Sequence, residues 1–190
     1  MRYLIILFIL FNISTLKAQD SIIIDKITIL KAPQLSVGIE QDILPYILKG
    51  YIVTAWIGRD FFRYRFSYAQ ANTPDFTHGE GIDKERVNAF GLSFEYFFKE
   101  KYRGLWFGPG IGYWSNYVTT DDGTKGTNQS VIFSLGGGYN YYLNRWLYIS
   151  PWLALHTRVS GSDKVNIGST IYTPALVTPE MSVKVGVKIF

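Results

Sequence analysis

Downstream of residue 34 the chain alternates between apolar and polar residues, one by one, in segment after segment. The last segment shows the pattern at its plainest. Met181, Val183, Val185, Val187 and Ile189 form one set, and Ser182, Lys184, Gly186 and Lys188 form the other. Neighbouring side chains of a β-strand point to opposite faces, so a period of two predicts a ribbon with one oily and one polar side. The same split predicts strands over 35–40, 51–58, 62–69, 87–98, 105–117, 129–141 and 147–159. Thus Phe62, Tyr64, Phe66 and Tyr68 oppose Arg63, Arg65, Ser67 and Ala69, while Leu153 and Leu155 oppose Trp152, Ala154 and His156. The expectation is an all-β chain of eight antiparallel strands. No Lys, Arg, Asp or Glu falls in any of the oily sets; Arg59 would, but it belongs to a turn.

The connections alternate too. Tight turns are expected around residues 58–60, 100–101 and 143–145, and longer loops near 42–49, 71–85, 119–127 and 161–179. Short turns at one end and long loops at the other describe an up-and-down β-barrel that crosses a bacterial outer membrane, with the short turns periplasmic. Aromatic residues crowd the strand ends beside the tight turns (Phe61, Phe62, Tyr96 to Phe98, Tyr139 to Tyr142, Trp146), and Tyr51, Tyr68, Tyr113 and Tyr117 lie towards the other rim. Two such girdles are expected at the two membrane interfaces.

Composition supports this reading. Charged residues are 18% of the 190-residue chain, below the roughly 25% usual in soluble domains, and aromatic residues are 17% at a mean hydropathy of only +0.06. Helical membrane proteins are far more apolar; strands with one oily face are not. The chain has no cysteine, which removes disulfides, thiolate–metal sites and thiol nucleophiles together. Met1, Arg2 and the apolar run from Leu4 to Ile13, followed by Ser14 to Lys17 and the small Ala18 at the cut site, read as a secretory signal peptide over 1–18 cut after Ala18. Residues 19–34 are expected as a periplasmic lead-in and 35–190 as the barrel. Without Arg2 and Lys17 the mature chain carries 17 Lys and Arg against 15 Asp and Glu, too balanced for nucleic-acid binding.

Over residues 35–190 this architecture resembles the small outer-membrane barrels of the OmpA, OmpX and OmpW type. The resemblance rests on strand pattern and connections, not on a residue motif. It implies outer-membrane lipids as surroundings, and Phe190 as the C-terminal aromatic signal that the barrel-assembly machinery recognises. Phe190 departs from the usual pattern, because it falls on the Lys184/Lys188 face and not the oily one.

An eight-stranded barrel has an interior that side chains can just fill, so a packed lumen is expected. Glu40, Arg63, Arg65, Glu95, Arg158, Lys184 and Lys188 form its predicted ionic network, and Trp56, Trp106, Gly110, Trp114, Gly136, Trp152 and His156 its packing. Counting antiparallel pairs outward from the turns puts Arg65 beside Glu95, Glu40 opposite Lys184 and Gly136 opposite Trp152. Pro109 and Pro151, each a few residues into a strand, are expected to accompany a bulge or a missing ladder bond.

The functional expectation is a non-enzymatic surface barrel without cofactor or metal, whose loops over 71–85 and 161–179 are available to a surface partner. Two alternatives stand beside it. One is a lipid hydrolase or acyltransferase of the outer membrane using His156, as some barrels of this shape are; no His-x-Ser-Asn sequence of the deacylase kind is present. The other is a soluble lipocalin-like barrel with the faces inverted, against which stands a polar face rich in Gly, Trp and Ser and poor in Lys and Glu.

Overall fold

A computed structural model describes residues 35–190. The strands are β1 (Ser36–Asp42), β2 (Tyr51–Arg59), β3 (Phe62–Asn72), β4 (Ile82–Lys99), β5 (Arg103–Thr120), β6 (Lys125–Tyr142) and β7 (Leu147–Gly161), followed by β8 (Val165–Ile167), β9 (Thr170–Tyr172) and β10 (Val177–Lys188). A one-turn helix, α1 (Leu44–Ile47), links β1 to β2. β1 to β7 and β10 close into one antiparallel barrel in the order β1-β10-β7-β6-β5-β4-β3-β2, and β8 and β9 form a separate hairpin. The expected signal peptide and lead-in lie outside the described residues.

The faces fall as the alternation dictates. Leu153 is 65% exposed on the outer wall, as are Val185 and Leu92 to lesser degrees, whereas Glu95 and Lys184 are buried. Neighbouring apolar side chains pack across the outer surface: the Phe62 and Phe94 rings stack at 5.3 Å, and Tyr68 meets Phe90 at 4.7 Å. Along the middle of the barrel strands no Lys, Arg, Asp or Glu shares this wall; the polar groups there turn inward because only inside can they find each other.

Three connections are tight. Residues 60–61 join β2 to β3, a 3-10 turn (Glu100–Tyr102) joins β4 to β5, and residues 143–146 join β6 to β7. Lys101 and Tyr102 both adopt left-handed φ, at 61° and 57°, and the Tyr102 side chain is buried. At the other end, β4, β5 and β6 run for 18 residues each, well beyond the predicted segments. The expected long loop over 119–127 is therefore a turn of residues 121–124. It shortens because the inward Asn116 and Val118 find partners in the β8–β9 hairpin, so pairing continues past the alternating segment. The hairpin itself turns at Gly168–Ser169 within the long connection after β7.

Both strand prolines sit at lapses in the ladder. Pairing of β4 with β5 stops at Phe94 and Glu95 against Gly108 and Pro109, then resumes in the same register. Pairing of β6 with β7 stops at Tyr139 and Asn140 against Ser150 and Pro151. The missing N–H of proline explains each gap. Gly108 is needed beside the first, because a Cβ there would collide with the Phe94 carbonyl oxygen.

Candidate functional site in the barrel lumen

The inward residues of β1, β3 and β4 meet in a closed ring of charge. Glu40 enters from β1, Arg63 and Arg65 from β3, and Glu95 from β4. Arg63 Nη1 lies 2.9 Å from Glu40 Oε1 and its Nε donates to Glu95 Oε2 at 2.6 Å. Arg65 Nη2 lies 2.8 Å from Glu40 Oε2 and its Nη1 donates to Glu95 Oε1 at 3.0 Å. Each carboxylate thus bridges both guanidinium groups. Arg63 is fully buried and Glu95 nearly so. Paired, hydrogen-bonded charge is the form in which such groups tolerate a dry interior, and the planar guanidinium fork suits two-point contact with carboxylates.

Aromatic residues hold the ring in place from the tight-turn side. Tyr148 donates its hydroxyl proton to Glu40 Oε1 at 2.6 Å, and receives hydrogen bonds from Trp56 Nε1 at 2.9 Å and Arg63 Nη1 at 3.1 Å. The Arg63 guanidinium lies 5.1 Å from the Trp56 ring centre and 4.9 Å from that of Phe97. Trp56, Phe97, Tyr102, Trp106 and Tyr148 form one buried cluster that fills this end of the lumen. Small residues make room for it: a Cβ on Gly186 would strike the Tyr148 ring, and one on Gly38 the Trp56 ring.

Lys184 stands apart from the ring. Its ammonium sits 3.9 Å from the Trp152 ring centre and 5.4 Å from that of Trp106. Asp42, its register partner across the β1–β10 seam, accepts from Trp152 Nε1 at 2.7 Å and from the Ser182 hydroxyl. With Asp42 included, three buried cations face three buried carboxylates.

Two residues expected in the network lie elsewhere. Arg158 sits at the long-loop mouth, donating to the Ser162 carbonyl at 2.9 Å and to Asp163 Oδ1 at 2.8 Å. It does so because β7 carries it several residues above the ring. Lys188 ends β10 at the opposite rim, 5.9 Å from the Tyr102 ring centre. The counted pairs are corrected by the same small step. Arg63, not Arg65, faces Glu95 directly; Asp42, not Glu40, faces Lys184; Ala154, not Trp152, faces Gly136. Each error is two residues, the smallest slip that leaves every side chain on its own face.

Sequence reasoning missed Asp42, Phe97, Tyr102 and Tyr148. Phe97 and Tyr148 shared the parity of the polar set, a signal that was available. Tyr102 lies in a turn and Asp42 beyond the predicted end of its strand, where alternation carries no information.

Higher in the lumen, His156 lies between Ser134 and Glu180. Its Nδ1 is 2.7 Å from Ser134 Oγ, and its Nε2 is 2.9 Å from Glu180 Oε2, though off the line of a straight hydrogen bond. The Trp114 ring packs against the imidazole at 5.3 Å. Gly110 and Gly136 line the same stretch of wall. Serine, histidine and glutamate are the residue types of a hydrolytic triad, but acyl transfer also needs N–H donors aimed at a developing oxyanion. The strands that carry these three residues pair with each other directly at this level, Ser134 with His156 and Thr178 with His156, which occupies the backbone donors around them in ladder bonds. Among the described residues no three His, Cys, Asp or Glu side chains gather as metal ligands.

The long-loop mouth is closed by the β8–β9 hairpin. Ile167 and Tyr172 pack on Ile82 and Val118, with Val165 beside them. Tyr172 donates to Glu85 Oε1, and Asn116 Nδ2 donates to the Tyr172 hydroxyl oxygen at 3.0 Å. Burial, then the negative charge and hydrogen bond of Glu85, push the Tyr172 phenol well above its ordinary value.

The fold is that of known small outer-membrane barrels. The chain superposes on Neisserial surface protein A with a TM-score of 0.55 at 12% identity, over 82% of this chain and 94% of that one. The N-terminal β-barrel domain of Pseudomonas aeruginosa OprF gives a TM-score of 0.48 at 15% identity, over 82% and 96%. No protein-family model matches the sequence, and no curated protein is similar enough in sequence to count as a relative.

Proposed function

We propose that this chain is a non-enzymatic outer-membrane β-barrel whose lumen is a closed structural plug and whose interactions lie on its outer wall and loops. The observation that carries this reading is the Glu40–Arg63–Glu95–Arg65 ring, buried beneath a wall of outward apolar side chains. Charge sealed inside and oil outside is the arrangement that a bilayer rewards, and a plug of this kind leaves no water-filled path. Tight turns then face the periplasm. A strand of 18 residues rises about 60 Å along its axis and, tilted by about 45°, about 40 Å along the membrane normal, more than the roughly 30 Å of hydrocarbon. β4 to β6 therefore stand above the outer surface, with the β8–β9 hairpin across their inner side.

The reading extends to the termini. Residues 1–18 serve as the export signal, removed after Ala18; residues 19–34 lead into the barrel on the periplasmic side; and Phe190 contributes to recognition by the barrel-assembly machinery. Surface partners would meet the connection at residues 73–81 and the hairpin.

The test is conductance. Purified barrel reconstituted in a planar bilayer is expected to give no steady channel, while Arg63→Ala combined with Arg65→Ala opens measurable current. A large steady conductance from the unaltered protein would overturn the plug. Envelope lipids from cells carrying Ser134→Ala or His156→Ala are expected to match those of the unaltered strain; an altered acylation pattern would instead establish a hydrolase.

A further inference from the structure

The outer wall is not uniform at its upper rim. Lys84, Arg86 and Lys125 all lie on the outward side of β4–β6, since Lys84 and Arg86 share parity with Phe90 and Leu92, and Lys125 with Val131 and Phe133. Register stacks them closely: Lys84 pairs with Thr119, Thr119 with Lys125, and Arg86 with Tyr117. On the outward sides of the upper β2, β3, β7 and β10 the corresponding residues are Tyr51, Tyr68, Gln70, Thr157, Val159 and Val177, none of them charged. Asp83 lies 3.3 Å from Lys84 and offsets that cation. Arg86 donates through Nε to Asn72 Oδ1 at 3.3 Å, and neither it nor Lys125 has a carboxylate within ion-pair reach among the described residues.

Two hollows lie on this same face. One, of about 240 Å³, is bordered by Tyr117, Thr119, Lys125 and Thr127 beside the cations. The other, of about 300 Å³, lies lower on the strands and is lined almost wholly by apolar atoms of Phe66, Phe90, Leu92, Ile111, Tyr113 and Val131. From Ile111 to Tyr117 a strand rises about 20 Å, or about 14 Å along the membrane normal at the usual tilt. The lower hollow therefore faces hydrocarbon while the cations stand at headgroup height.

We infer that the outer face of β4–β6 binds one acylated, phosphate-bearing lipid of the outer leaflet, with an acyl chain in the Phe66–Ile111 groove and its phosphate on Arg86 and Lys125. Charge complementarity selects the occupant. An uncharged chain would need only the groove, and a free anion only the cations; this face offers both in the vertical order in which a phospholipid or phosphorylated glycolipid presents them. Cations near a membrane surface attract anionic headgroups, and arginine adds a planar two-point grip on phosphate.

The inference rests on the membrane reading, and the experiment separates the two. Folded barrel is first partitioned between water and detergent; recovery in the aqueous phase would end the membrane reading itself. Detergent-solubilised barrel is then titrated with dioleoyl phosphatidic acid or dioleoylglycerol, which share their chains, and retained lipid is counted by native mass spectrometry. One phosphatidic acid is expected to be retained in preference to dioleoylglycerol, and Arg86→Gln with Lys125→Gln to weaken that retention at least about tenfold. Lys99→Gln with Arg145→Gln, at the other rim, is expected to leave it unchanged. Equal retention of the two lipids, displacement by inorganic phosphate, or loss in the lower-rim variant instead would overturn the proposal. If the double variant fails to fold, Arg86→Gln alone is expected to lower retention, and its failure to do so would count equally against the site.

Discussion

At the scale of single residues, the ion ring shows how a sparse set of charges becomes structural. Arg63 touches both carboxylates of the ring and Tyr148, with Trp56 and Phe97 against its guanidinium. Replacing it with Met roughly keeps the volume but leaves Glu40 and Glu95 each with one guanidinium, that of Arg65, in place of two. Removing one member of a buried charge pair costs about 3–5 kcal/mol, so Arg63→Met is expected to lower the urea midpoint of the folded barrel in micelles by a corresponding amount. An exposed residue makes the opposite case. Thr120 donates its hydroxyl to Asp122, and the Thr124 backbone N–H adds a second bond, which together hold the Asp122 carboxyl down to about 2 from an ordinary value of 3.8. A depressed carboxyl stabilises its turn above the ordinary value and ceases to as pH falls towards the lower one. Protection of the amides in the 121–124 turn, measured relative to their intrinsic exchange at each pH, is therefore expected to fall between about pH 4 and pH 2 while the barrel stays closed.

The elements differ in how far their neighbours hold them. Barrel strands are bonded on both sides, whereas the β8–β9 hairpin pairs only with itself and rests on side chains. Its anchor is Tyr172, bound to Glu85 and Asn116. Hydrogen bonds to charged groups contribute about 1.5–3 kcal/mol each, so Tyr172→Phe is expected to expose hairpin amides to exchange without changing protection in β5 or β6. Loss of protection throughout the barrel would show instead that the hairpin and the wall open as one unit. The phenol gives a second handle. Because its folded value is raised, the proton it keeps stabilises the hairpin below the ordinary tyrosine range, and that contribution fades as pH climbs above about 10.

For the molecule as a whole, the outward wall decides where the barrel can live. Leu153 stands near mid-wall and faces outward. An arginine in a lipid-facing midplane position costs about 2–4 kcal/mol, so Leu153→Arg is expected to destabilise the barrel by that amount in bilayers and by clearly less in a short-chain detergent micelle. Equal stability in both would mean that this wall does not face hydrocarbon.

The alternation of side chains was enough to determine eight barrel strands, their facing and the tight turns, because each is fixed by the transfer energy of a side chain and its immediate neighbours. The inward parity of Glu40, Arg63, Arg65, Glu95 and Lys184 followed from the same local rule. Which of them meet did not. A slip of two residues leaves every face unchanged, so the pattern cannot detect it, and the final register is seen only in the paired ladders and in closure of the β1–β10 seam. Tertiary structure alone therefore brought Asp42 to Lys184, Tyr148 to the ring, Tyr172 to Glu85, and three cations to one face of the outer rim.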